Sequence, residues 1–254
     1  MIENNDPYII EKEVKTSDGT IKVAYEDENG SQVLKNKLNI TNAKELSQAM
    51  RDIGFVKLMS LDDIMYDKNY GSDLIKNCHR HIFGDVFIWA GEYRKVPIYH
   101  IEDIIIPGLS LDYCMPEKIE SRVNEKFNDI NNEEWNKCDT NDFIKKMVKH
   151  FSEIWAIHPF RDGNTRTTFS AMYLFAKDHN LYIDFGKLLE NYSRKHDEKN
   201  NITGLSMRDY LLLAVLDEPK SLENELNRIT TNLNLTTERE KISDKERDIN
   251  DDWY

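Results

Sequence analysis

The chain is poor in most of the features that would classify it at a glance. Its three cysteines, Cys78, Cys114 and Cys138, are odd in number, widely spaced and without a CxxC pair. That pattern suits buried thiols in a reducing compartment better than a disulfide framework or a zinc site. No run approaches the roughly 18 to 20 apolar residues that span a bilayer. The opening Met1-Ile2-Glu3-Asn4-Asn5-Asp6-Pro7 lacks the basic start and apolar stretch of a secretion signal. The expected address is therefore the cytosol, with no membrane partner. A GxxxxGK(S/T) loop, a GxGxxG turn and a GxSxG elbow are all missing, which argues against P-loop nucleotide binding, a dinucleotide fold and a serine hydrolase. Positive charge is scarce too: 34 basic residues stand against 46 acidic ones, a net charge of -12. Such a chain repels polyanions, so no nucleic-acid partner is expected. A nucleotide stays open, because a phosphate site needs only a few local donors. Internal repeats and low-complexity tracts are absent as well.

Helical periodicity is what the sequence does have. Tyr8 to Tyr25 reads as a strand-like arm turning at Asp18-Gly19. Asn42 followed by Glu45 resembles a capping box leading into Leu46, Met50, Ile53 and Leu58. Residues 72–83 carry Leu74, Ile75, Cys78 and Ile82 on one face, and Pro116 opens a helix toward Ile130. Between them, Val96, Ile98, Ile101, Ile104, Ile105 and Ile106 are β-branched and stop at Pro107-Gly108, which predicts a short hairpin or extended edge. Asp139 caps a long helix with one apolar stripe at Phe143, Met147, Phe151, Ile154 and Trp155. The pattern breaks over 156–163 and resumes from Asn164 to about Lys177; further helices fit 184–193, 206–216 and 221–233. The chain reads as mainly α with one small β element. Its last twenty residues are charged and nearly without core formers, as in a solvated tail.

One stretch concentrates chemistry: His158-Pro159-Phe160-Arg161-Asp162-Gly163-Asn164-Thr165-Arg166. A glycine loop feeding directly into a helix leaves backbone N–H groups unpaired at the positive end of the helix dipole, an anion site. Gly163 lets a phosphate come close, while Asn164 and Arg166 add donors suited to its oxygens. A carboxylate beside phosphates, Asp162, serves a hard cation such as magnesium. His158, with a side-chain pKa near neutrality, can take the proton of an attacking hydroxyl. A plain capping loop would also contain such residues, and each one taken singly is more often structural.

Together the nine residues resemble the motif of the Fic family, His-x-Phe-x-(Asp/Glu)-Gly-Asn-Gly-Arg-x-x-Arg. The run Trp89-Ala90-Gly91-Glu92-Tyr93-Arg94 and residues 96–108 resemble the element that precedes and forms the family's flap, so the likeness covers roughly residues 30–230. The resemblance implies a Fic fold, a helical bundle with a β-hairpin flap beside the active-site loop. On it, 1–30 is an N-terminal arm, 31–233 the Fic domain with its core at about 70–216, and 234–254 the charged tail. It implies a protein adenylyltransferase moving AMP from ATP-Mg to a Ser, Thr or Tyr hydroxyl of a target protein. His158 is then the base, Phe160 a core anchor and Asp162 the magnesium ligand. Gly163, Asn164, Thr165 and Arg166 bind the ATP phosphates, and Ile104, Ile105 and Ile106 are the flap edge that docks the target by strand addition.

Two departures stand out. Thr165 replaces a glycine, and Phe169 replaces the second arginine, which in the family orients the outer phosphates. Many members also carry an inhibitory helix, (Ser/Thr)-x-x-x-Glu-(Gly/Asn), whose glutamate pairs with that arginine. Here Ser31 to Asn36 keeps the frame but has Lys35 at the glutamate, so autoinhibition of this kind is expected to be absent. Ser221 to Glu225, followed by Leu226, reads as part of an ordinary helix. Other donors (UMP, phosphocholine, or kinase-type transfer as in the Doc branch) and a catalytically decayed binding protein are the alternatives. Apolar helix faces allow a homodimer, and Tyr99 and Tyr113 are candidates for self-modification. His79, His81, His100 and His150 are read as structural or surface histidines, and Tyr182, Tyr192 and Tyr210 as core tyrosines rather than adenine platforms.

Overall fold

The computed structural model describes residues 6–16, 19–102, 109–191, 193–199, 201–216 and 218–233. Ile104, Ile105 and Ile106, Tyr192 and the charged tail lie outside these residues. The chain divides into two compact units, one of residues up to Phe127 together with Ile157–Thr167, the other of Asn128–Ala156 together with residues from Thr168 onward.

The first unit opens with the antiparallel hairpin β1 (Glu11–Thr16) and β2 (Gly19–Ala24), whose register pairs Thr16 with Gly19. The chain returns through isolated bridges, Ile9 to Leu34 and Glu26 to Gln32. Asp27 then anchors the next element, its carboxylate accepting the amides of Asn29, Ser31 and Ala43. These three N–H donors, with Ala43 the largest influence, hold the Asp27 carboxyl below its ordinary pKa. Helix α1 (Ala43–Leu58) starts where predicted, with the Asn42 side chain accepting from the Glu45 amide at 3.0 Å. Its buried stripe is Leu46, Met50, Gly54 and Leu58; Gly54 takes the place expected for Ile53 because an arginine side chain lies against it. Helix α2 (Ser72–Phe83) buries Leu74, Ile75, Cys78, His79, Ile82 and Phe83. The expected hairpin is β3 (Tyr99–Glu102) paired with β4 (Leu109–Asp112), so its second strand begins beyond Pro107-Gly108. Ser31 to Asn36 is extended rather than helical.

Helix α3 (Ile119–Asn131) follows a short 3-10 turn at Pro116, and α4 (Thr140–Ile157) begins after Asp139, whose side chain accepts from the Asp142 amide. The second unit holds most of α4 and of α5 (Asn164–Asp178). It then runs through β5 (Leu181–Ile183), α6 (Phe185–Leu189), β6 (Lys195–His196), β7 (Ile202–Gly204), α7 (Met207–Val215), α8 (Lys220–Ile229) and β8 (Thr230–Asn232). Its core is aromatic: Phe175 lies 5.6 Å from Phe143, 5.4 Å from Phe151 and 4.9 Å from Trp135. Burying each such ring contributes about 1.5–3 kcal/mol. Glu225 sits in α8, held by Arg228 and Asn191, with Leu226 fully buried beside it. Among the described residues there are four two-stranded sheets; β1–β2 lies in the expected strand-like arm and β3–β4 in the expected hairpin, while β5–β8 and β6–β7 were not expected. Strands of two or three residues have no period to detect. No described helix is long and apolar enough to cross a membrane.

Candidate active site

Between the end of α4 and the start of α5 the chain turns through residues 158–163, and nearly every group in the turn is held. His158 adopts a left-handed backbone, φ 53°, unusual for a residue with a Cβ. Its ring is partly exposed and stacks on Tyr113, with centroids 3.9 Å apart and planes 16° apart. Phe160 is fully buried and lies against the ring of His79 at 4.0 Å. Asn164 closes the loop: its Oδ1 accepts from the Phe160 amide and its Nδ2 donates to the Phe160 carbonyl, both at 2.9 Å. Asp162 is half-buried, and one of its carboxylate oxygens accepts the Gly163 amide.

Helix α2 supplies the wall behind the loop. His79 accepts the Gly91 amide on Nδ1 at 2.8 Å, so its proton sits on Nε2 and donates to the Asp162 carbonyl at 3.0 Å. Burial is the main reason its pKa is pushed down to about 3, and the ring is neutral at any ordinary pH. Gly163 has φ 80°, and a Cβ there would stand 2.2 Å from Phe83 Cε2. Arg166 stacks its guanidinium over the Phe83 ring at 4.4 Å and donates to the Met50 carbonyl of α1 at 2.7 Å. From the loop's outer side Arg161 pairs with Asp6 at 2.9 Å, fastening residues of the N-terminal arm to the motif.

The residues predicted as one site are thus gathered in one loop, but several are engaged differently from the expectation. The bare face of Gly163 meets the Phe83 ring, so its lack of a side chain serves packing. Both functions of the Asn164 amide are used inside the loop. Arg166 is 8% exposed and bound to a backbone carbonyl. Thr165 stays partly exposed in the first turn of α5, where the helix offers residues 164–166 no carbonyl acceptor. The flap edge Ile104–Ile106 falls outside the described residues. Lys35, at the position of the inhibitory glutamate, donates from Nζ to the Pro7 carbonyl at 2.9 Å. Tyr99 is exposed, but Tyr113 is buried against His158 and is not offered to a neighbouring molecule. Three residues that touch the loop carried other readings in the sequence: His79 as a structural or surface histidine, Arg94 as part of the run before the flap, and Tyr113 as a candidate for self-modification. Only the position of His79 on the buried face of a helix hinted at its part.

Residues 69–176 match the model of the Fic/DOC family. The y4lH protein of Sinorhizobium fredii, named "Probable protein adenylyltransferase", is 30% identical over 165 residues, which are 63% of this chain and 78% of that protein. The chain belongs to the Fic/DOC family. Its relative VbhT of Bartonella schoenbuchensis, named a protein adenylyltransferase, is 25% identical over 200 residues, or 77% of this chain; the match spans only 38% of VbhT. Among solved structures, the Fic fold is shared with BepC of Bartonella tribocorum, crystallised with bound AMPPNP. There the TM-score is 0.64 at 17% identity, covering 82% of this chain and 96% of the other. A Bep effector Fic domain from Bartonella quintana with bound ADP also has a TM-score of 0.64, at 19% identity, over 82% and 94% of the two chains. The structure is accordingly a Fic fold, mainly α with small sheets.

A loop so arranged places one imidazole and one carboxylate beside the first turn of α5. The donor set suits magnesium: a lone oxygen ligand such as Asp162 matches an ion that binds through one or two carboxylates and fills its shell with water and substrate phosphate. It does not suit a metal that needs a protein cage, because the described residues contain no group of three His, Cys, Asp or Glu able to hold one.

Proposed function

We propose that the chain transfers AMP from ATP to a side-chain hydroxyl of a protein target. The observation that carries this reading is the single ordered loop that sets a partly exposed His158 four residues before Asp162 and six before the start of α5 at Asn164. The names of VbhT and y4lH, and the nucleotides held by the two Bartonella structures, support it by family likeness.

In this reading the His158 imidazole takes the proton of the target hydroxyl as its oxygen bonds to the α-phosphorus. The bond from that phosphorus to the β-phosphate oxygen breaks, and pyrophosphate leaves. The amides at the start of α5 and the Thr165 hydroxyl receive phosphate oxygens, with the helix dipole adding favourable charge. Asp162 would hold magnesium, which when bound neutralises charge on those oxygens. Catalysis here is mostly positioning and preorganised charge. Phe169 is 1% exposed, so that position supplies no cation to the outer phosphates. With that arginine gone and Lys35 in an extended segment, we assign no glutamate-based autoinhibition. The target is a protein segment docking beside the β3–β4 hairpin.

The test is intact-mass spectrometry after incubation with ATP and magnesium, alongside His158→Ala. An AMP adduct on the parent, reduced about a hundredfold or more in the variant, supports the assignment. A phosphate or UMP adduct overturns it, as does no adduct combined with no ATP binding by calorimetry.

A further inference from the structure

Arg94 is 2% exposed, and among the described residues it meets no carboxylate. Burial lowers the pKa of its guanidinium, so holding the charge there is costly. The side chain is spent entirely on backbone carbonyls. Nε donates to His158 at 2.8 Å, Nη1 to Val96 at 2.7 Å, and Nη2 to Cys114 and, at 3.5 Å, to Ile157. The residue's own amide donates to Pro159 at 2.9 Å. Three successive carbonyls, 157, 158 and 159, therefore accept from one residue.

Those three carbonyls converge because His158 is left-handed, a conformation that a residue with a Cβ rarely adopts. Something must hold it, and the Arg94 fork is placed to do so. Its two remaining acceptors, Val96 and Cys114, flank the β3–β4 hairpin on either side. Tyr113, next to Cys114, is the residue stacked on the His158 ring. One guanidinium thus joins the backbone of His158 to both feet of the hairpin that supplies its stacking partner.

We infer that Arg94 is a positioning residue, which holds His158 in its left-handed conformation and keeps the imidazole seated against Tyr113. The inference rests on the reading of His158 as the base. A planar fork is required for it: a lysine keeps the charge but offers one ammonium, which cannot reach carbonyls on opposite sides.

The test compares the full chain with Arg94→Lys and Arg94→Gln, each checked for native circular dichroism. One readout is independent of activity: the His158 ring-proton NMR signals, shifted upfield by the face of Tyr113 and assigned through His158→Gln. In both variants these signals should lose that shift. ATP affinity should stay within about threefold, while kcat for AMP transfer falls about a hundredfold with KM for ATP unchanged. Folded variants whose His158 signals stay in place overturn the inference, as does near-parental kcat in Arg94→Lys. A parent that transfers no AMP, but whose His158 signals move on substitution, refutes the proposed function and leaves the positioning role standing.

Discussion

Gly163→Ala separates backbone strain from packing in the motif loop, because a second glycine supplies the control. Gly163 has φ 80° and Gly30 has φ 75°, so an alanine at either site pays for nearly the same unfavourable backbone. Around Gly30 nothing lies within 4 Å of an added Cβ, whereas at Gly163 it would fall 2.2 Å from Phe83 Cε2 and 2.4 Å from Cζ. Carbon atoms in contact sit at about 3.5–4.0 Å, so the ring must retreat by more than an ångström. Its surroundings resist: the Arg166 guanidinium lies over it at 4.4 Å and the His79 ring at 4.8 Å. Gly30→Ala should cost about 1–2 kcal/mol, the conformational part alone. Gly163→Ala should add overpacking of about 1–3 kcal/mol, for a total of about 2–5 kcal/mol. Urea unfolding followed by far-UV circular dichroism measures both, with an unchanged m-value showing that stability and not the denatured state has moved. Combining Gly163→Ala with Phe83→Leu should recover about 0.5–3 kcal/mol relative to additivity, since the smaller side chain vacates the clash. If Gly163→Ala costs no more than Gly30→Ala, or if the double variant is additive, the ring does not occupy that face.

His79 makes stability depend on pH. Its folded pKa of about 3 lies below the ordinary histidine value, so the unfolded chain binds the proton first. Stability from this residue is complete above about pH 6.5 and falls by up to roughly 1.4 kcal/mol per unit as pH drops from there toward 3. His79→Gln should flatten the slope of unfolding free energy between pH 6 and 5, and equal slopes in parent and variant would contradict the buried neutral ring. Asn164→Ala strips the partners from the buried N–H and C=O of Phe160 and should lower stability by about 2–4 kcal/mol. Asn164→Asp keeps the acceptor and loses the donor, so its thermal midpoint should fall between those of the parent and Asn164→Ala.

Helices were legible in the sequence where period and cap agree. Asn42 and Asp139 cap the helices assigned to them, and α2 runs over the predicted residues 72–83. The pairing of Leu181–Ile183 with Thr230–Asn232 was not legible, since three-residue strands so distant in sequence leave neither a period nor a turn signal. The candidate site divides the same way. The motif could be read because its residues are consecutive, but the histidine on the Asp162 carbonyl is 83 residues away and the arginine on the His158 carbonyl 64. Asn164 and Arg166 were assigned to phosphate because a sequence shows which donors exist. It does not show that the Phe160 backbone and the Met50 carbonyl already receive them.

The Asn164–Phe160 clasp and the contacts from His79 and Arg94 bear on how far the motif can be transplanted. A peptide of residues 158–166 contains both partners of the clasp but none of the supports from His79, Arg94, Tyr113 and Phe83, which lie outside it. Grafted onto another helical pair, the nine residues would carry the names of the site without its shape. The smallest portable unit includes the wall of α2, the 89–94 turn and the foot of the hairpin at Tyr113-Cys114. A scaffold designed to borrow this chemistry therefore has to borrow its neighbours first.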